Sequence, residues 1–270
     1  MLNKLEAGNK IYRYCNNLIN VGWFTGYIIN LSPDRKSFYI RQSRYASHLF
    51  LVEMAQNDFL PSVFKEGSGI KIMARLIQHD IEGMKSIKLL PLYAERAAKS
   101  QLPDIDDVKA EDSPKDKKFN PYFSYNLTPV PGTAVNTVLI AGFIDTLIHD
   151  THENGEIKGD CLLMGLRTGL KDILPVRIYG NRASSEFNII KKTQNKGKFQ
   201  PVAFDTQLRS KIIKVEDPER GELNHVISYV HSSVITTMDP DDCEEYFLGH
   251  PDWFLQVQQD WLAQQSEIQK

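Results

Sequence analysis

The chain is poor in the residues that announce most chemistries. Its three cysteines, Cys15, Cys161 and Cys243, lie far apart and form no C-x-x-C pair. That excludes a disulfide framework and makes the cytoplasm the expected location. The first residues lack the apolar run of a signal peptide. Residues 121–144 carry no charge, but Pro121, Asn126, Pro129, Pro131 and Asn136 interrupt them. Only Val138–Ile144 remains as an apolar run, which is the length of a strand and too short to span a membrane. Of seven histidines only His149 and His152 cluster, with no third ligand at metal spacing; beside Asn154-Gly155 they read as solvated loop residues. Glu66–Lys71 resembles a phosphate loop superficially, but G-x-x-x-x-G-K-[ST] is not satisfied, and neither G-x-G-x-x-G nor G-x-S-x-G occurs. No catalytic residue, metal or cofactor is therefore assigned, and an enzyme is not expected.

What is present is ordinary for a folded protein: 41% hydrophobic and 24% charged residues, with a formal charge of −2. This composition rules out wholesale disorder. A length of 270 residues favours two domains. Near-neutrality at first argues against a nucleic-acid binder. The total hides segregation, however. Residues 1–102 hold 14 basic and 8 acidic side chains, and 103–165 hold 5 and 11. Residues 166–220 hold 12 and 6, and 221–270 hold 1 and 9. Two basic blocks alternate with two acidic ones, and charge of one sign on one surface attracts polyanions whatever the sum.

Residues 103–131 are acidic, rich in proline and poor in apolar side chains, as a linker would be. On each side the same pattern of elements is expected. In residues 1–102, Val21–Leu31, Ser37–Arg41 and His48–Val52 read as strands, with a turn at Ser32–Asp34. Asp58–Lys65 reads as a short helix, and Gly69–Ile77 with Ser86–Tyr93 as a hairpin across Asp80–Gly83. In residues 132–238, Val135–Ile148, Lys158–Leu166 and Leu174–Tyr179 read as strands, with a hairpin turn at Glu153–Gly155. Ser184–Lys192 reads as a helix, and Phe199–Val215 with Asn224–Met238 as strands around Asp217–Gly221. Thr25-Gly-Tyr-Ile-Ile-Asn-Leu31 also matches Ala141-Gly-Phe-Ile-Asp-Thr-Leu147, with a glycine mid-strand in each. Such a glycine suits a strand that must bend to take part in both sides of a barrel closure.

Three strands, a helix and two strands are the order of the OB-fold. Through Ala141–Asp145, Leu174–Arg182 and Val202–Arg209 the second half resembles bacterial single-stranded-DNA-binding proteins, over about 100 residues and by pattern rather than by a diagnostic motif. The first half shares only the strand order, and the fold expected is mainly β: two tandem five-stranded OB-like barrels with short helices and a C-terminal helical segment. The resemblance implies cooperative, largely sequence-independent binding of single strands. The acidic stretch ending in an apolar pair that closes such proteins is missing; this chain ends Gln-Ser-Glu-Ile-Gln-Lys270.

Alternation with apolar residues picks out the candidate contacts. Cations track a phosphate backbone while aromatic rings stack bases, each stack being worth roughly 1–3 kcal/mol. In the second half the candidates are Arg167, Lys171, Arg177, Tyr179, Arg182, Arg209 and Lys211, with the lysine run Lys191, Lys192, Lys196 and Lys198. Val176, Ile178, Leu208 and Ile212 should face inward between them. In the first half, Tyr39, Arg41 and Arg44 are the candidates, with Tyr39 and Arg41 pointing outward together. Phe24, Phe38 and Ile40 are expected in the core; Trp23 is open between core and stacking platform.

Residues 239–270 carry 8 acidic side chains and one lysine. Asp239-Pro240-Asp241-Asp242 has the marks of a helix start, and Trp253, Val257 and Trp261 then fall on one helical face. They could dock on the chain's own barrel or bind a protein partner. The function expected is binding of single-stranded DNA, or of RNA, in replication, recombination or mobile-element maintenance, with self-association. The alternative is a non-catalytic interaction scaffold.

Overall fold

β-branched and aromatic side chains alternating with polar ones make strands of nearly every described segment. The computed structural model describes residues 20–43, 48–102, 134–150, 161–169, 172–179, 201–217 and 221–232, and in addition positions 183, 187–188, 190–191 and 236–237. The first half contains β1 (Asn20–Ile29), β2 (Ser37–Arg41), β3 (Leu49–Glu53), β4 (Gly69–Ile81) and β5 (Met84–Arg96). β1 pairs antiparallel with β2, and β2 with β3. β3 meets β5 in parallel at Val52↔Leu89, β5 pairs antiparallel with β4, and β4 returns to β1. The five strands thus close on themselves, in the order an OB-like barrel requires. Phe24, Ile28, Phe38, Ile40, Phe50 and Leu89 fill the interior, with the Phe24 and Phe50 rings 5.7 Å apart. The core assignment of Phe24, Phe38 and Ile40 is correct.

Turns follow local chemistry. The Ser32 hydroxyl donates to Asp34 at 2.6 Å, and the Asp34 carboxylate accepts the Lys36 amide at 3.1 Å. β4 and β5 run longer than the sequence suggests and are joined by Glu82 and Gly83 alone, with φ of 47° and 74°, the geometry of a two-residue hairpin turn. The expected helix at Asp58–Lys65 does not form; the segment is a series of turns. Leu60 and Phe64 are buried there. Arg35 takes the carbonyls of Leu60, Pro61 and Phe64 at 2.7, 2.6 and 2.6 Å. The guanidinium supplies donors to carbonyls that a helix would have paired internally, and Pro61 disfavours helical backbone at Leu60 before it.

The second half contributes β6 (Asn136–Asp150), β7 (Cys161–Arg167) and β8 (Ile173–Tyr179), then β9 (Pro201–Asp217) and β10 (Gly221–Ser232). β6, β7 and β8 form an antiparallel meander, and β9 with β10 a long hairpin. The chain order of the first half, three strands and then a hairpin, therefore recurs. Residues 187–188 and 190–191 have helical backbone within the expected Ser184–Lys192 helix, as does Ala183 just before it. Within the expected Asn224–Met238 strand, β10 is described to Ser232, and β11 (Thr236–Thr237) pairs with Ala203 and Val202 on β9.

The chain packs into two compact units. One takes Val21–Val138 together with Thr206–His231, and the other is centred on Leu139–Asp205. Both described ends of the 103–131 region meet the same side chain: the Thr25 hydroxyl donates to the Gln101 carbonyl at 2.8 Å and accepts the Val135 amide at 2.7 Å. The region itself, the turn at Glu153–Gly155 with His152, and residues 239–270 lie outside the described residues. Among the described residues no helix is long and apolar enough to cross a membrane.

Candidate nucleic-acid interface

A strand whose alternate residues fill the barrel must present the others outward, and β2 does so cleanly. Phe38 and Ile40 are 1% and 0% exposed, whereas Tyr39 and Arg41 are half-buried on the opposite face. Pairing sets their neighbours. Tyr39 lies between Ile29 of β1 and Leu51 of β3, and Arg41 between Tyr27 and Leu49. Burial raises the Tyr39 phenol and lowers the Arg41 guanidinium from their ordinary pKa values; Tyr39 stays a neutral ring at neutral pH, and an arginine has ample margin to stay charged. Trp23 and Tyr27, at even spacing on β1, belong to the same outward-facing set and are half-buried. Trp23, left open by the sequence, is therefore outside the core formed by Phe24 and Ile28. Farther along, Met73 of β4 pairs with both Trp23 and Tyr93, and Tyr93 is 53% exposed. Tyr27, which the sequence reading does not select as a contact, shares this outward face, and its register opposite Arg41 is the signal that picks it out.

In the second half, Arg177 and Tyr179 alternate on β8 with the buried Val176 and Ile178, as expected. They share an outward face, with the Arg177 Nη1 3.4 Å from the Tyr179 hydroxyl. Arg167, at the end of β7, is held in an ion pair with Asp145, its Nε donating to Oδ1 at 3.0 Å. Lys191 stands 5.5 Å from the centre of the Phe187 ring, a cation–π distance. The other neighbour of Phe187 is His149, ring centres 5.1 Å apart. His149 is thus a β6 residue packed on an aromatic ring, a correction to its expected place in a solvated loop.

Arg209 and Lys211 lie on β9, in the part of the hairpin that belongs to the unit of the first half. Arg209 is not simply outward: its guanidinium hydrogen-bonds the His48 Nε2 and reaches the Gln207 side chain at 3.2 Å. Burial, then the charge of Arg209, pushes the His48 pKa down to about 4. His48 is therefore neutral at pH 7. Because a guanidinium can only donate, Nε2 accepts, and the proton sits on Nδ1, which donates to the Ser43 hydroxyl at 2.7 Å. His231, on β10, is pushed down to about 4 for the same two reasons in the same order. Two buried hydroxyls seat the hairpin: Ser210 Oγ accepts the Leu49 amide at 3.2 Å, and Ser86 Oγ the Ser228 amide at 2.9 Å. Ile212, expected to point inward, is 47% exposed. Beyond Ser210 the alternate residues Ile212, Lys214 and Glu216 are all exposed.

Arg44, Lys171, Arg182, Lys192, Lys196, Lys198, Trp253, Val257 and Trp261 lie outside the described residues. Among the described residues no group of three or more His, Cys, Asp or Glu side chains could hold a metal ion.

The matched glycines of the two halves occupy one kind of site. A β-carbon at Gly26 would stand 2.6 Å from the Arg41 carbonyl oxygen, and one at Gly142 2.5 Å from the Arg167 carbonyl oxygen. Each glycine precedes a residue paired with that arginine, Tyr27↔Arg41 and Phe143↔Arg167. Close approach of the next strand demands glycine at both places. The sequence match is therefore also a match of backbone geometry.

No protein-family model and no curated protein matches the chain. Solved structures do, among them two of one protein. Wild-type single-stranded DNA binding protein from Thermus aquaticus superposes with a TM-score of 0.50 at 10% identity, covering 82% of this chain and 94% of that one. A deletion variant of the same protein gives 0.50 at 9% identity, covering 83% and 96%. The chain is mainly β and shares its fold with the Thermus aquaticus single-stranded DNA binding protein.

Proposed function

We propose that this protein binds single-stranded nucleic acid, DNA in the first place, without strong sequence preference and without chemistry on the strand. The observation that carries this reading is the outward face of β1 and β2, where Tyr39 and Arg41 stand beside Tyr27 and Trp23. Rings of this kind stack on any base, and an arginine between them neutralises phosphate. The likeness in fold to a protein that binds single-stranded DNA supports it. In the full reading the second half is a second OB-like barrel in tandem, and the candidate lysines and arginines of both halves line the path of the strand. The acidic C-terminal segment then serves a protein partner or self-association, and the protein works in the cytoplasm in replication, recombination or mobile-element maintenance.

Fluorescence titration with oligo-dT and with duplex of equal length, at two salt concentrations, tests the reading. Single strands should bind more tightly than duplex. The log–log salt slope should be near −0.7 for each phosphate contacted. Undetectable binding to oligo-dT at low salt, or binding unchanged by salt, would refute it.

A further inference from the structure

Alternation along β5 puts one tyrosine on the wrong side, and a bulge is the reason. Ile87 and Leu89 are buried in the barrel, so strict alternation would carry Pro91, Tyr93 and Glu95 inward after them. The pairing with β4 prevents it. Arg75↔Leu90 and Ala74↔Pro91 are followed by Met73↔Tyr93, so Leu92 is passed over as an extra residue. One inserted residue exchanges the two faces of the strand beyond it. Ala94, opposite the buried Ile72, takes the inward position. Tyr93 is left outside, 53% exposed, next to Leu92 at 57%.

The ring so exposed completes a row. Trp23 of β1 pairs with Met73 of β4, and Met73 with Tyr93. Cross-strand partners share a face at close spacing, so the three side chains lie side by side on the outside of the barrel, Trp23 and Met73 half-buried. The Tyr93 ring is oriented: its hydroxyl donates to Glu95 at 2.8 Å, and Glu95 pairs with Lys71 at 2.8 Å. Lys71 and the exposed Arg75 flank Met73 on the same face of β4. From Trp23 the row leads away from Tyr27, Tyr39 and Arg41. Between them the Thr25 hydroxyl donates to the Gln101 carbonyl, and the Leu102 side chain fills the space over Gly69, the partner of Tyr27.

We infer that Trp23 and Tyr93, on either side of Met73, form a second stacking platform on the β1–β4–β5 face, which takes unpaired bases of a single strand. This rests on the proposed binding function and adds a contact surface to the one at β1–β2. Rings stack on any base, and the cations beside this row suit a polyanion better than an apolar partner surface. A bulge that gives up a regular ladder to set a tyrosine outside belongs to a recognition surface, where bulges re-aim side chains.

The test is titration of full-length protein with labelled oligo-dT of about 30 nucleotides, longer than the roughly 4–16 that one OB-fold holds. Tyr93→Leu keeps apolar bulk but loses the ring, and should weaken binding about fivefold or more without changing the salt slope. Tyr93→Phe keeps the ring and should stay within about twofold. With Trp253→Phe and Trp261→Phe combined, Trp23 is the only tryptophan of the chain, and its emission should be quenched in step with binding. The inference is overturned if Tyr93→Leu binds as wild type does, if Tyr93→Phe is as weak as Tyr93→Leu, or if Trp23 emission is unchanged at saturating oligo-dT; a row that serves a protein partner gives the first and last of these. Tyr39→Leu reports on the β1–β2 face separately. If it weakens binding and Tyr93→Leu does not, the proposed function stands and this inference fails. A wild-type protein that binds no oligonucleotide would remove the proposed function itself.

Discussion

At the scale of single residues, the protein is most sensitive where the backbone of one strand crosses another. Gly26 and Gly142 each face a carbonyl oxygen at a distance no β-carbon tolerates. Gly26→Ala and Gly142→Ala should each cost about 1–3 kcal/mol, measured by urea denaturation. Gly83→Ala meets no neighbouring atom, and its cost comes only from the positive φ of its turn. The buried histidines govern pH dependence. His48 and His231 are held near 4, below the ordinary 6.5, so between those values the unfolded chain binds more protons than the folded one. Their contribution is complete above about pH 6.5 and falls away as pH drops toward 4. Stability measured at pH 7, 5.5 and 4.5 should decline steadily. His48→Gln, which can still accept from Arg209 and donate to Ser43, should flatten that decline.

At the scale of elements, the sequence predicts strands well and the short helix at Asp58–Lys65 wrongly. Alternation is enough to define β2, where Phe38 and Ile40 face in and Tyr39 and Arg41 face out. Such a strand needs no distant information. The segment at Asp58–Lys65 does: its carbonyls are satisfied by Arg35, more than 20 residues earlier, whose φ of 60° belongs to the turn after β1. Arg35→Lys keeps the charge but loses the fork of donors. It should cost about 1–3 kcal/mol, and hydrogen exchange should quicken at Leu60 and Phe64 before it does in β4. The same limit explains β9. Alternation puts Leu208 and Ile212 on one face, but only the tertiary packing around each determines that one is buried and the other exposed.

At the scale of the whole molecule, the hairpin β9–β10 matters most. Counted along the chain it is part of the second half, yet its residues 206–231 belong to the compact unit of the first. The hydroxyls of Ser86 and Ser210 anchor it by accepting amides that are otherwise buried. Ser86→Ala leaves the Ser228 amide without its acceptor and should cost about 1–3 kcal/mol. The loss should appear in thermal melting of the unit as a whole, not as local fraying, if the hairpin is integral to it.

Composition, alternation and the paired glycines by themselves determined a mainly β chain with a repeated order of strands, because burial on one face of a strand writes a local period of two into the sequence. The basic and aromatic residues of β2 were legible for the same reason. That Arg167 pairs with Asp145, that Phe143 is covered and that residues 206–231 pack with Val21–Val138 were decided only by tertiary structure. They depend on a one-residue bulge at Asp145 and on hydrogen bonds between residues 142 and 161 positions apart, Ser86 with Ser228 and Leu49 with Ser210. No local period encodes such contacts.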